Sequence, residues 1–357
     1  MRTLCTKSLK GKQAGFITAL LVIAAVIYAG LAAQAAVSYA PTHLDHSKNP
    51  KGCIGCHMRG QSPGSKFSYE RCFKCHGSVK KGVKGEARTD IESLFNKNSK
   101  HPVLSTTIYH SANEELPERN PNVPRHVTCV DCHSPHLSTP DKPWGGTGYS
   151  PGRIRVDNAA EEYELCYKCH SDSANLPAGE EDLIDSFNPS NPSYHPIEMA
   201  GRNKNVPSLI NRLMLDQRIT CDDCHGNSDP YGPKGPHGSD YAPLLVAQYR
   251  TDDGPEGAQV YALCYKCHSR QSILNDESFQ RHKFHIVYQN TSCYTCHASH
   301  GSRENPSLIS FNRTVVTNGS DGGPRYAPLQ PGRPYCYLSC HGANHSYSGI
   351  NGKKWPW

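Results

Sequence analysis

The chain has 357 residues with a formal charge of +6, and 17 of the residues are Cys. Counting Gly and leaving out Tyr, its apolar share is about 39%, below the ~45–50% of ordinary globular domains, so a large oily core is excluded. Its 38 basic residues are scattered among 32 acidic ones rather than gathered in blocks, which gives nucleic-acid binding little support.

In chain order the first element is a leader. Arg2, Lys7, Lys10 and Lys12 precede an apolar run from Ala14 to Ala33 and the small-residue stretch Ala32-Ala33-Gln34-Ala35-Ala36, the pattern of an export signal. An Ala-x-Ala site after Ala35 favours cleavage, while the apolar run is also long enough to remain as a membrane anchor. The expectation is an exported protein, periplasmic or extracellular or on the cell surface, and tied to the membrane only if residues 1–35 are retained. Cys5 precedes the apolar run and has no expected role.

Seven Cys-x-x-Cys-His motifs follow: Cys53-Cys56-His57, Cys72-Cys75-His76, Cys129-Cys132-His133, Cys166-Cys169-His170, Cys221-Cys224-His225, Cys264-Cys267-His268 and Cys293-Cys296-His297. One such motif could be a disulfide or half of a zinc site; seven in an exported chain, each ending in His, are the signature of covalently attached c-type haem. The spacing lets one short turn present two thiols to two vinyl groups while the next residue aims its imidazole at the iron. An eighth element, Cys336-Tyr337-Leu338-Ser339-Cys340-His341, has one residue too many between its cysteines. It could be a disulfide beside a surface His. Its position in the repeat favours haem, giving about eight haem c groups, seven at regular motifs and one at the variant. Eight pairs of propionates would add roughly −16 and eight ferric centres roughly +8, so the basic polypeptide reads as partial compensation for its cofactors.

The motifs fall into pairs, because shorter and longer gaps mostly alternate. Second members read Cys-Phe-Lys-Cys-His at 72 and Cys-Tyr-Lys-Cys-His at 166 and 264, with Tyr69, Tyr163 and Tyr261 each three residues ahead. First members share Cys-His-Ser-Pro-His136 and Cys-His-Ala-Ser-His300, with the matching His displaced to Gly-Pro-His237-Gly-Ser in the third unit. Such repetition points to a quasi-linear array. Four dihaem units are expected at 36–98, 99–190, 191–278 and 279–357.

Of 20 His, the eight that follow motif cysteines, including His341, are the expected proximal ligands, and twelve remain for the opposite faces. The chosen distal candidates are His43, His46, His101, His136, His195, His237, His285 and His300, with His110, His126, His282 and His345 in reserve. His101 and His195 precede Pro102 and Pro196, which keeps them out of helices, as reaching ligands should be. Met199 and Met214 are weak alternatives. A bis-His set implies low-spin iron at lower potentials than His/Met ligation.

These motifs resemble the multihaem c-type cytochromes with a doubled Cys-x-x-Cys-His motif, whose paired haem-binding segments are separated by a Pro-His-Gly-Ser-like element. The resemblance covers nearly everything after residue 42 and departs from the pattern at the eighth motif, at the first pair and at His237. It implies a coil-rich, haem-cored fold with a few short helices, little or no sheet, and an elongated array. Short helices are expected over Asn158 to His170, Glu256 to His268 and Pro207 to Arg218.

Electron transfer is the expected function, with redox proteins or extracellular electron acceptors as partners and no catalytic residue assigned. Two alternatives belong to other classes. An octahaem reductase of nitrogen or sulfur oxyanions usually marks its catalytic haem with a Lys-ended motif, whereas all eight motifs here end in His. A membrane-anchored quinol dehydrogenase rests on the apolar leader and on Met58 beside His57. The first pair has no His closely downstream of His57, so its ligands are either His43 and His46 or a His donated by a second copy in a head-to-tail homopolymer.

Overall fold

The computed structural model describes residues 43–44, 52–57, 69–78, 89–104, 126–147, 159–171, 176, 178–330, 333–346 and 349–350. The leader and His46 and His110 lie outside these residues. Among the described residues no helix is long and apolar enough to cross a membrane.

The first-member motifs sit on single turns at Cys53–Cys56, Cys129–Cys132, Cys221–Asp223 and Cys293–Cys296. Residues three apart share a helix face, so one turn sends both thiols the same way. Such short turns cannot hold themselves and need their ends capped. Asp131 Oδ2 accepts from both the backbone N–H and the hydroxyl of Thr128 at 2.7 and 2.8 Å, and Asp223 does the same for Thr220 at 2.9 and 3.0 Å. At the seventh motif Thr295 stands where the aspartate would be. Asp253, forty residues upstream, supplies the carboxylate instead, accepting from the Ser292 N–H at 2.6 Å and the Thr295 hydroxyl at 2.7 Å. Replacing the buried Thr128 by Ala is expected to cost about 1 kcal/mol, read as a lower denaturant midpoint with unchanged slope.

Second-member motifs lie on Tyr69–His76 and Glu162–His170 and around the shorter Ala262–Tyr265. The recurring Tyr packs one turn on, against Phe73, Tyr167 and Tyr265, at ring separations of 5.5, 5.3 and 6.3 Å. The recurring Lys reaches back to the preceding motif: Lys168 donates to the Asp131 carbonyl at 3.2 Å and Lys266 to the Asp223 carbonyl at 2.7 Å. The second and third pairs of motifs are thereby clamped together, and in the first pair Arg71 donates to the Cys56 carbonyl at 2.8 Å instead.

All three expected helices are shorter than the sequence suggested; the one expected to end at His170 starts only at Glu162, after the Glu161 cap. Over 256–268 only Ala262–Tyr265 is α-helical, since the Glu256 side chain is drawn to Arg270 and Tyr265. Over 207–218 only a 3-10 turn, Arg212–Asp216, forms, because Ile210 is hydrogen-bonded to Cys267 and Asn211 caps a new start at Leu213.

The expectation of little or no sheet is corrected: the described residues include nine short strands. β1 (Ser99–Lys100) pairs antiparallel with β3 (Gly238–Ser239), and β2 (Ser193–Tyr194) with β4 (Gly301–Ser302). The other five form one sheet: β5 (Val316–Thr317), β6 (Arg325–Gln330), β7 (Arg333–Cys340), β8 (Ala343–Ser346) and β9 (Gly349–Ile350), with β7 between β5, β6 and β8. This Tyr-, Val- and Thr-bearing tail has no helical motif, so its backbone polar groups are satisfied by a ladder. Buried apolar side chains form small clusters, Phe73, Phe95 and Val103 beside Cys129, and Tyr167, Phe187 and Ile197 beside Cys221.

Candidate functional site

The two small ladders repeat one arrangement. β1 runs into His101-Pro102 and β3 follows His237; β2 runs into His195-Pro196 and β4 follows His300. In the second copy the His195 N–H donates to the His300 carbonyl at 2.8 Å. Ser99 and Ser193 accept from the Leu244 and Leu308 N–H groups, both at 2.8 Å, and Ser239 and Ser302 donate to the Leu245 and Ile309 carbonyls. Each ladder therefore fixes two histidines at once.

Those histidines face motif histidines. Ring centres are 6.5 Å apart for His101 and His170, 6.0 Å for His237 and His133, 6.5 Å for His195 and His268, and 6.1 Å for His300 and His225. The first pair finds partners within the chain: His57 faces His136 at 6.0 Å and His76 faces His43 at 6.1 Å. His282, a reserve in the sequence reading, faces His297 at 6.3 Å. His285 faces another reserve, His345, at 6.4 Å, and not His341. His341 directs Nε2 to Asp253 Oδ2 at 2.7 Å. His126 is half-buried two residues before Thr128.

The separations suit an iron between each pair. Two metal–nitrogen bonds of about 2 Å, plus about 1 Å from each nitrogen to its ring centre, come to about 6 Å. The protonation pattern suits it too. Nδ1 of His101, His133, His195, His225, His285 and His297 lies 2.7, 2.9, 2.5, 3.0, 2.8 and 2.9 Å from the carbonyls of Pro236, Pro143, Ser299, Pro243, Arg281 and Ser307. A carbonyl only accepts, so these Nδ1 atoms carry the hydrogen and Nε2 keeps its lone pair for a metal. His300 Nδ1 is held at 2.7 Å by Glu181. Burial favours neutral imidazole, pushing His170, His237, His268 and His345 down to about 4 and His282 to about 3. The Tyr261 hydroxyl and Trp144 Nε1 are buried without a protein partner, an arrangement that calls for a further polar group.

The expected thioether cysteines beyond the first turn, Cys72, Cys75, Cys129, Cys132, Cys166, Cys169, Cys221, Cys224, Cys264, Cys267, Cys293, Cys296, Cys336 and Cys340, are half-buried and none is in a disulfide. Successive motifs adjoin. Cys72 lies beside Cys129, Cys166 beside Cys221, and Cys264 beside Cys293. Burial first and then Cys169 raise the Cys132 thiol to about 12, and Cys296 feels both Cys336 and Cys340. The motifs thus follow one another in space in their sequence order. The cross-unit pairing of His57, His133 and His225 with a His of the following unit was not read from the sequence; the one available signal was that His136, His237 and His300 each trail a first-member motif.

A family model described as the doubled CXXCH motif matches residues 122–175 and 215–273, each stretch spanning one first-member and one second-member motif. No curated protein and no solved structure matches the chain.

Proposed function

We propose that this chain, whose doubled motifs imply covalently bound haem c and support a multihaem c-type cytochrome, carries electrons along eight closely spaced haems. The observation that carries the reading is the set of eight imidazole pairs, each spaced to close both faces of one iron. Bound haem would supply a one-electron ferric/ferrous couple at each site. The protein's part would be to hold the paired imidazoles, many of them by Nδ1 contacts or ladders, so that little reorganises when charge changes, and to keep neighbouring sites in contact. His170, for instance, lies near His101, His225 and His300. Two imidazoles per iron leave no open position for nitrite or hydroxylamine, which favours a carrier over an octahaem reductase.

The basic, apolar leader supports export, and the partners are then redox proteins or extracellular electron acceptors. The first pair being paired inside the chain removes the need for a His donated by a second copy.

The test combines intact mass with carbon monoxide. Eight attached haems and no stoichiometric carbon monoxide binding are expected. Binding at one haem together with rapid nitrite turnover would replace the carrier by a reductase.

A further inference from the structure

The eighth motif differs from the others in backbone as well as spacing. Cys336 and Cys340 lie in strand β7, where four residues span up to about 13 Å, rather than on a helical turn. β7 pairs with β6 as far as Tyr337, with β8 from Leu338 and with β5 from Ser339, changing neighbours in the middle of the motif. His341 follows in the connecting turn with φ of +49°, a left-handed conformation uncommon for a residue with a side chain.

That turn carries His341 to Asp253. Its Nε2, the nitrogen that the carbonyl-held histidines keep unprotonated, is bound to Asp253, and Asp253 is itself fixed by Ser292 and Thr295 at the cap of the seventh motif. Side chains alternate along a strand, so Cys336, Leu338 and Cys340 share a face of β7. His345 of β8 stands directly opposite Leu338 and therefore on the same face as the two cysteines. Its ring lies 6.4 Å from His285, within the 6.0–6.5 Å range of the other seven pairs, and at an interplanar angle of 29°. His285 in turn has Nδ1 held by the Arg281 carbonyl.

The geometry points to His345, and not the motif's own His341, as the axial ligand opposite His285 at the eighth haem. The inference rests on the haem reading above and goes beyond it: the iron ligand is separated from the attachment cysteines and comes from the next strand of a hairpin. His341 is then a structural residue. It ties the turn after the eighth motif to the cap of the seventh through Asp253, and so fixes the two neighbouring sites relative to each other.

The experiment uses the purified holoprotein and the variants His345→Ala, His345→Met and His341→Ala, each followed by intact mass and low-temperature electron paramagnetic resonance. His345→Ala is expected to keep the parent's haem count and turn one iron high-spin, with added imidazole restoring the low-spin signal. His345→Met should keep that iron low-spin but raise its potential. His341→Ala should leave every iron low-spin. A high-spin iron in His341→Ala with none in His345→Ala would overturn the assignment. A parent mass of seven haems would also overturn it while leaving the carrier reading intact, whereas a parent without haem would remove both.

Discussion

Gly301→Ala is expected to unseat two histidines at once and to turn two irons high-spin in an otherwise fully loaded protein. A Cβ at Gly301 would lie within van der Waals overlap of the Ser186 carbonyl oxygen, and one at Gly238, its counterpart in the other ladder, would do the same to the Leu94 carbonyl. Both obstacles are backbone, so neither can swing aside. The β2–β4 ladder would have to open, and with it the His195 to His300 hydrogen bond and the His195 Nδ1 contact with Ser299. These histidines face His268 and His225, which places the damage at two sites. The cost should be about 3 kcal/mol or more, at the upper end of overpacking. Gly201→Ala, with nothing within 4 Å of its added carbon, is the matched control. Spin state and denaturant midpoint should move together in Gly301→Ala and stay put in Gly201→Ala. A Gly301→Ala protein with every iron low-spin would mean that the ladder does not position the ligands.

Much of this architecture was legible because the repeat is written in residues with one job each. The Ser or Thr before a first-member motif is a cap, the Lys inside a second-member motif is a clamp, and a His before Pro or before Gly-Ser is a ladder histidine. Asp253 shows the limit of local reading: the carboxylate that caps the seventh motif is supplied from forty residues away because Thr295 occupies its usual place. The ladders show a second limit. Lys100 meets Gly238 and Tyr194 meets Gly301 across more than a hundred residues, and two-residue strands carry no periodicity to announce them. The five-stranded tail escaped notice for a related reason, since its motif resembled a haem-binding turn while its Tyr, Val and Thr content favoured extended chain. His282 and His345 carry no local mark of ligation, since neither trails a first-member motif as His136, His237 and His300 do. What assigns them is the pairing in space, His282 against His297 and His345 against His285.

That pairing gives a counting experiment. His57, His133 and His225 each face a histidine from beyond the next first-member motif, whereas His297, the last of the series, faces His282 from just upstream. Single variants His300→Ala and His282→Ala should each produce one high-spin iron. The doubles distinguish who shares an iron with whom, because two substitutions at one iron cannot open two sites. His225→Ala with His300→Ala should still give one altered iron, and so should His297→Ala with His282→Ala. His297→Ala with His300→Ala should give two. If His300 instead served the motif three residues before it, the last double would give one altered iron and the first would give two. In that case units would complete their own sites and nothing would tie each to its successor. With the pairing described here, each of His57, His133 and His225 is tied to the next first-member motif by the histidine that trails it, and His297 is met by His282 of the same chain.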